Sequence, residues 1–157
     1  MQDMIELTRP INQLIPHSGT MSLLQEAIAA TEETARAGLR IAEDSLLYRP
    51  DLGGVPSWVG IEYMAQTIAM FAGVEARRAG GQPAVGFLLG TRRYVANVPT
   101  FRLGAHLIVD VEQDFRDDQM AAFSCTIVDG TDCLAEARLN VFQPRDIGSF
   151  LGMRSEA

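Results

Sequence analysis

Residues 57–79 read Ser57-Trp58-Val59-Gly60-Ile61-Glu62-Tyr63-Met64-Ala65-Gln66-Thr67-Ile68-Ala69-Met70-Phe71-Ala72-Gly73-Val74-Glu75-Ala76-Arg77-Arg78-Ala79. On a helix their apolar side chains would fall on almost every side. A helix that is apolar all round is a buried one, so this stretch predicts a helix from Ser57 to Ala79 at the centre of the fold. Ser57, directly after Pro56, is a good N-cap type, and Gly80-Gly81 supplies the stop. About 23 residues at 1.5 Å each span roughly 34 Å, enough to cross a small domain. The most apolar part, Trp58 to Val74, contains Glu62 and Gln66 and is shorter than the roughly 20 residues a membrane span needs. No membrane partner is expected.

Around this helix the pattern changes to period two. Upstream, Ala37, Leu39 and Ile41 alternate with Arg36, Gly38 and Arg40, as in a half-exposed strand. Residues 44–56 hold Pro50, Gly53, Gly54 and Pro56 and read as a loop. Downstream, strands are expected over Val85 to Leu89, Ala105 to Glu112, Ala121 to Val128 and Cys133 to Phe142. Asp129-Gly130-Thr131-Asp132 joins the last two as a hairpin, because Asp-Gly takes the positive φ of a tight turn. One buried helix followed by antiparallel strands is an α+β layout in which a sheet wraps a helix. At 157 residues the chain is expected to form a single domain, 1–157.

Composition narrows the function. The net charge of -7 disfavours nucleic acid. All 13 basic residues are arginine, which excludes a Schiff-base lysine. Cys125 and Cys133 are expected as small core or sheet residues. With two distant histidines they make a poor zinc set. Neither a metal nor another cofactor is expected. Met1 to Pro10 contains Asp3, Glu6 and Arg9 and lacks the apolar run of a signal peptide. The expectation is a soluble, cytoplasmic protein.

Three segments then carry a resemblance. Ile15-Pro16-His17 followed by Met21 to Leu24 is similar to Leu-Pro-His-x-x-x-Phe-Leu-Leu. Val55-Pro56 with Ile61-Glu62-Tyr63-Met64-Ala65-Gln66 is similar to Met-Pro-Gly-x-x-x-Ile-Glu-Ala-Met-Ala-Gln. Val128-Asp129-Gly130 through Glu136-Ala137 is similar to Val-Asp-Gly-x-x-x-x-x-Glu-Ala. In this order they resemble the 3-hydroxyacyl-[acyl-carrier-protein] dehydratases of hot-dog fold, and especially a divergent branch linked to aryl-polyene-type lipid synthesis. The resemblance covers about residues 10–143, with 144–157 as a C-terminal tail. It implies a long central helix wrapped by an antiparallel sheet, and at least a dimer with sheets joined edge to edge. The partner would be a second copy or another hot-dog subunit. The family carries its catalytic His in Gly-His-Phe-Pro, eight residues before the Pro-Gly pair. Here that count lands on Tyr48 in Leu47-Tyr48-Arg49-Pro50, and Ser57 replaces the Gly.

Dehydration of a 3-hydroxyacyl thioester needs a base for the α-proton, an acid for the leaving hydroxyl and a donor to the carbonyl. Glu62, one turn into the helix, is the expected acid. Burial of a carboxyl favours the neutral form that can donate, whereas the positive end of a helix favours the anion. His17, in a Pro-His-Ser-Gly turn, is the expected base, since imidazole titrates near neutral pH. His106, in a strand pattern, is expected as a sheet residue. Tyr48 and Ser57 are candidate substrate contacts, and a phenol is a poor base at neutral pH. Trp58, Val59 and Gly60 offer first-turn N–H groups to a thioester oxygen. Gly60 costs about 1 kcal/mol against Ala inside a helix, which points to close approach there by an acyl chain or another helix. Arg92, Arg93 and Arg102 form a candidate patch for an acidic acyl-carrier protein, with a coenzyme A thioester as the other carrier. Two further readings stand beside the active dehydratase: a catalytically silent hot-dog subunit that partners an active one, and an acyl thioesterase.

Overall fold

The computed structural model describes residues 5–6, 23–80 and 88–142. Its elements in chain order are β1 (Ile5–Glu6), β2 (Glu26–Ala30), β3 (Thr34–Arg40), β4 (Gly54–Pro56), a 3-10 turn (Ser57–Val59), α1 (Gly60–Arg78), β5 (Leu88–Ala96), β6 (Thr100–Arg102), β7 (His106–Arg116), β8 (Met120–Asp129) and β9 (Asp132–Phe142). Seven strands form one antiparallel sheet in the order β1-β2-β3-β7-β8-β9-β5. β4 and β6 form a separate two-stranded ribbon.

The alternation of small and branched residues builds the inner face. Ala37, Val109, Ile127 and Ala135 lie opposite one another across four strands and are all buried. The next row is Ala35, Val111, Cys125, Ala137 and Tyr94. Small residues in these rows let the strands curve around a helix without leaving voids. Against them lie Tyr63, Met64, Ile68, Met70 and Phe71 of α1, all buried. Phe71 meets Phe123 of β8 edge to face, with ring centroids 5.5 Å apart. Cys125 is therefore a core residue, as its pattern predicts, and burial pushes its thiol up to about 12. The outer face carries the charges: Arg36 Nε donates to Asp110 Oδ1 at 2.7 Å, and that bond raises the guanidinium pKa further. His106 shares this face and meets Glu26 Oε1 at 3.0 Å.

Several boundaries differ from expectation. Of the strand expected over Val85 to Leu89, residues 85–87 lie outside the described part, while Leu88 and Leu89 belong to β5, which continues to Ala96. A register shift between Thr91 and Arg93 changes the phase of β5, and that bulge breaks the period-two signal. Ser57 is not a side-chain cap: the helix opens as a 3-10 turn with no capping side chain at either Pro56 or Val59. Trp58 is 63% exposed rather than buried with the rest of the helix. The C-terminus follows the sequence signal, with Gly80 at φ 82 donating to Arg77 O. Gly130 turns the β8–β9 hairpin at φ 61. No helix of the described part is long and apolar enough to cross a membrane.

Candidate functional site

The first turn of α1 is built from three directions. Ser57 N donates to Pro99 O at 3.0 Å, which ties the helix start to the connection between β5 and β6. The Tyr94 hydroxyl, from β5, donates to Ser57 O in a short hydrogen bond, and Gly60 N–H closes onto the same carbonyl. This pinned acceptor is why the turn winds as 3-10. It also narrows the donor set: Gly60 N–H is engaged here and Ser57 N–H at Pro99, so among the described residues Trp58 and Val59 are the first-turn N–H groups that remain. Burial pushes the Tyr94 phenol up to about 12, so it stays a donor across the neutral range.

Gly60 is a glycine because of this packing. A methyl there would lie 2.9 Å from Ile127 Cδ1, 3.1 Å from Phe101 Cζ and closer still to Tyr94 Oη. The neighbour that approaches closely is thus the protein's own Tyr94, not a second helix. Gly60→Ala is expected to destabilise the chain by about 1–3 kcal/mol, the usual scale of overpacking. Urea denaturation checks it, and Tyr94→Phe in the same chain should recover part of the loss.

Glu62 follows in the first turn of α1 and is half-buried. Gln66 lies one turn further on and is fully buried. Its amide is used at both ends: Nε2 donates to Glu62 Oε1 at 3.2 Å, and Oε1 accepts from Leu23 N at 2.9 Å. The segment that ends at Leu23 is therefore fastened to the helix beside the candidate acid. His17 lies outside the described residues. Gln66 stands in the helix motif, yet no local pattern identifies its backbone partner.

Tyr48 is half-buried and packs against the core from the loop between β3 and β4. Its N donates to Ser45 O at 3.0 Å. The preceding Leu47 has φ 68, a left-handed conformation that bulky residues rarely adopt and that concentrates at functional sites. Beside this loop is a cavity of about 250 Å³, whose wall includes Leu23, Leu39, Asp44, Ser45, Leu46 and Tyr63. A groove of about 290 Å³ lies near the far end of α1, between Phe71 and Met120, and no candidate site residue lines it.

The arginines do not share one edge. Arg93 is exposed on β5, whereas Arg102 is exposed on β6 of the separate ribbon. The Arg92 side chain is outside the described part. Sequence reasoning missed Arg138, which faces Arg93 across β5 and β9. Such a like-charge pair is unfavourable on its own. Asp114 Oδ2 lies 3.9 Å from Arg138 Nη2 and offsets part of it.

Known proteins share this architecture. The chain is similar to a chain of the dehydratase heterocomplex ApeI:P from Xenorhabdus doucetiae, with a TM-score of 0.84 and 24% identity over 94% of this chain and 99% of that one. It is similar to the uncharacterized protein PH1136 from Pyrococcus horikoshii, with a TM-score of 0.64 and 13% identity over 88% of this chain and 97% of that one. It is also similar to thioesterase superfamily member 2 from Mus musculus, with a TM-score of 0.55 and 12% identity over 75% and 80% of the two chains. At these identities the likeness establishes the hot-dog fold. No curated protein matches the chain. The model of the ApeP-like family, described as ApeP dehydratase, matches residues 9–152. That match spans nearly the whole sequence, and the chain belongs to the ApeP-like family of dehydratases, which are hydro-lyases.

Proposed function

We propose that the protein dehydrates a 3-hydroxyacyl thioester carried by an acyl-carrier protein, in fatty-acid or polyene-type lipid synthesis. Glu62 serves as the acid and His17 as the base. The observation that carries this reading is the pair of hydrogen bonds from Gln66 to Leu23 N and to Glu62. Leu23 is six residues after His17. Six residues reach at most roughly 20 Å when extended, and this reading has His17 lie inside that radius, beside the first helical turn. His17 takes the proton from C2 of the substrate, and negative charge moves onto the thioester carbonyl. The C3–O bond then breaks as Glu62 gives its proton to the departing hydroxyl, which leaves as water. Proton return from His17 to Glu62, directly or through water, resets the pair. Trp58 and Val59 N–H are the donors proposed for the carbonyl oxygen. Tyr48 and Ser57 line the entry of the substrate.

The assembly is proposed to contain two hot-dog chains. Within the described residues, β5 pairs with β9 on one side only, and an unpaired strand edge is a template for another strand. Exposed Trp58, at the turn that β5 pins through Tyr94, gives the same region apolar area to cover. Arg93 and Arg138 supply the positive charge proposed to guide an acidic carrier. The replacement of the usual catalytic His by Tyr48 favours a second reading, in which this chain is silent and shapes the site of an active partner.

Hydration of a crotonyl thioester, the reverse reaction, separates these readings. The expected result is hydration by the purified chain, alone or joined to a second hot-dog subunit, that falls when Glu62 of this chain becomes Gln. Hydration that needs the partner and ignores Glu62→Gln would establish the silent role. Release of free thiol without hydration would make the chain a thioesterase.

A further inference from the structure

Tyr63 is 1% exposed, and its ring packs on Phe101 with centroids 5.9 Å apart. Among the described residues its hydroxyl makes no hydrogen bond, whereas the neighbouring buried Gln66 and Thr67 and half-buried Tyr94 do. Gln66 bonds to Leu23 and Glu62, Thr67 Oγ1 donates to Tyr63 O at 2.8 Å, and Tyr94 donates to Ser57 O. An unmade bond at a buried hydroxyl costs about 1–3 kcal/mol, and native interiors hold few of them. A phenylalanine would fill the same space without that cost.

Tyr63 also follows Glu62 in the chain and is the one residue of α1 on the wall of the 250 Å³ cavity. The lining also includes Asp44, Ser45 and Leu46, in the loop that leads into left-handed Leu47 and Tyr48. A buried tyrosine with an unmade hydrogen bond, a cavity it helps to line and a loop with a left-handed residue thus occur together, one position along the chain from the candidate acid.

We propose that the Tyr63 hydroxyl donates a hydrogen bond to the carbonyl oxygen of an acyl thioester bound in this cavity. The assignment rests on the dehydratase reading of Glu62. As the α-proton leaves, the carbonyl oxygen gains charge, and a buried donor already in position stabilises that charge without reorganising. Burial holds the phenol well above its ordinary pKa, so it acts as a neutral donor throughout the range in which the reaction would be assayed.

Tyr63→Phe removes the oxygen alone. In the active assembly, with a crotonyl thioester, the variant is expected to lower kcat/KM about 10²-fold, the scale of one lost donor to a developing oxyanion. Most of the loss should fall in kcat, and the melting temperature should be unchanged or higher. Infrared difference spectra of the bound thioester, labelled with carbon-13 at the carbonyl, should move the C=O stretch to higher frequency. That readout requires binding only, so it applies equally to a silent chain. If Tyr63→Phe fails to fold, Tyr63→Met carries the same test with an adaptable apolar side chain. An unmoved stretch overturns the proposal, and a lowered kcat beside it would then be a packing effect. Full turnover in Tyr63→Phe with impaired Glu62→Gln removes Tyr63 alone. Full turnover in both removes Glu62 of this chain from the mechanism as well.

Discussion

Glu62→Gln and His17→Ala are each expected to lower dehydration of a 3-hydroxyacyl thioester by about 10²-fold or more, the range for general acid–base groups. The double variant should fall little further. In the proposed mechanism acid and base act in one elimination, and losses from groups that act as a unit are far from additive. Gln66 gives the experiment an internal control. It bonds to Glu62 and to Leu23 N at once, so Gln66→Leu should displace the proposed acid and release Leu23, six residues after the proposed base. The expected loss lies between the single and double variants, with folding retained. Steady-state rates of enoyl formation, read by absorbance, check all four proteins. Wild-type turnover in His17→Ala would remove that residue from the mechanism and leave the silent-subunit reading ahead.

Phe101→Ala is expected to cost about 3–5 kcal/mol, the range for emptying a fully buried phenylalanine site. Such a loss takes a large share of the roughly 5–15 kcal/mol that stabilises a typical domain. Phe101 is completely buried and sits at a junction. It pairs with Val55 across the ribbon, packs on the Tyr63 ring and closes over Gly60. Those neighbours belong to a strand and to the first turn of a helix, whose positions are set by other bonds, so the cavity cannot readily collapse. Urea denaturation should show the lower midpoint with an unchanged slope. A loss below about 1 kcal/mol would mean that the ribbon moves in to fill the space.

The helix and the sheet were legible in the sequence because each is written in one short period. An all-round apolar stretch has one stable location, the interior, and α1 lies there. Strict alternation sends every second residue inward, which placed Leu39, Leu107, Val109 and Ile127 on the core face and Arg36, His106 and Asp110 on the other. The phase signal fails where a bulge interrupts it. Gly90-Thr91-Arg92-Arg93 reads as a break in apolar pattern, yet these residues continue β5 across a register shift. The same strand carries Tyr94 inward, beside Ala137.

The sequence by itself determined a buried helix wrapped by antiparallel strands, the Gly130 hairpin, the interior place of Cys125, and Glu62 in the first turn of the helix. Only the tertiary structure decided what surrounds that turn. It put the Tyr94 hydroxyl on Ser57 O and against Gly60, used Gln66 to fasten Leu23 beside Glu62, buried Tyr63 in the lining of a cavity with its hydroxyl unbonded among the described residues, and exposed Trp58. The division has a physical cause. Periodicity reports which face of one element avoids water, a local property that every residue of the element repeats. A hydrogen bond between a strand and a helix turn, or between a side-chain amide and a distant backbone N–H, is made once. It depends on register and on the approach of separate elements, and no repeat in the chain records it.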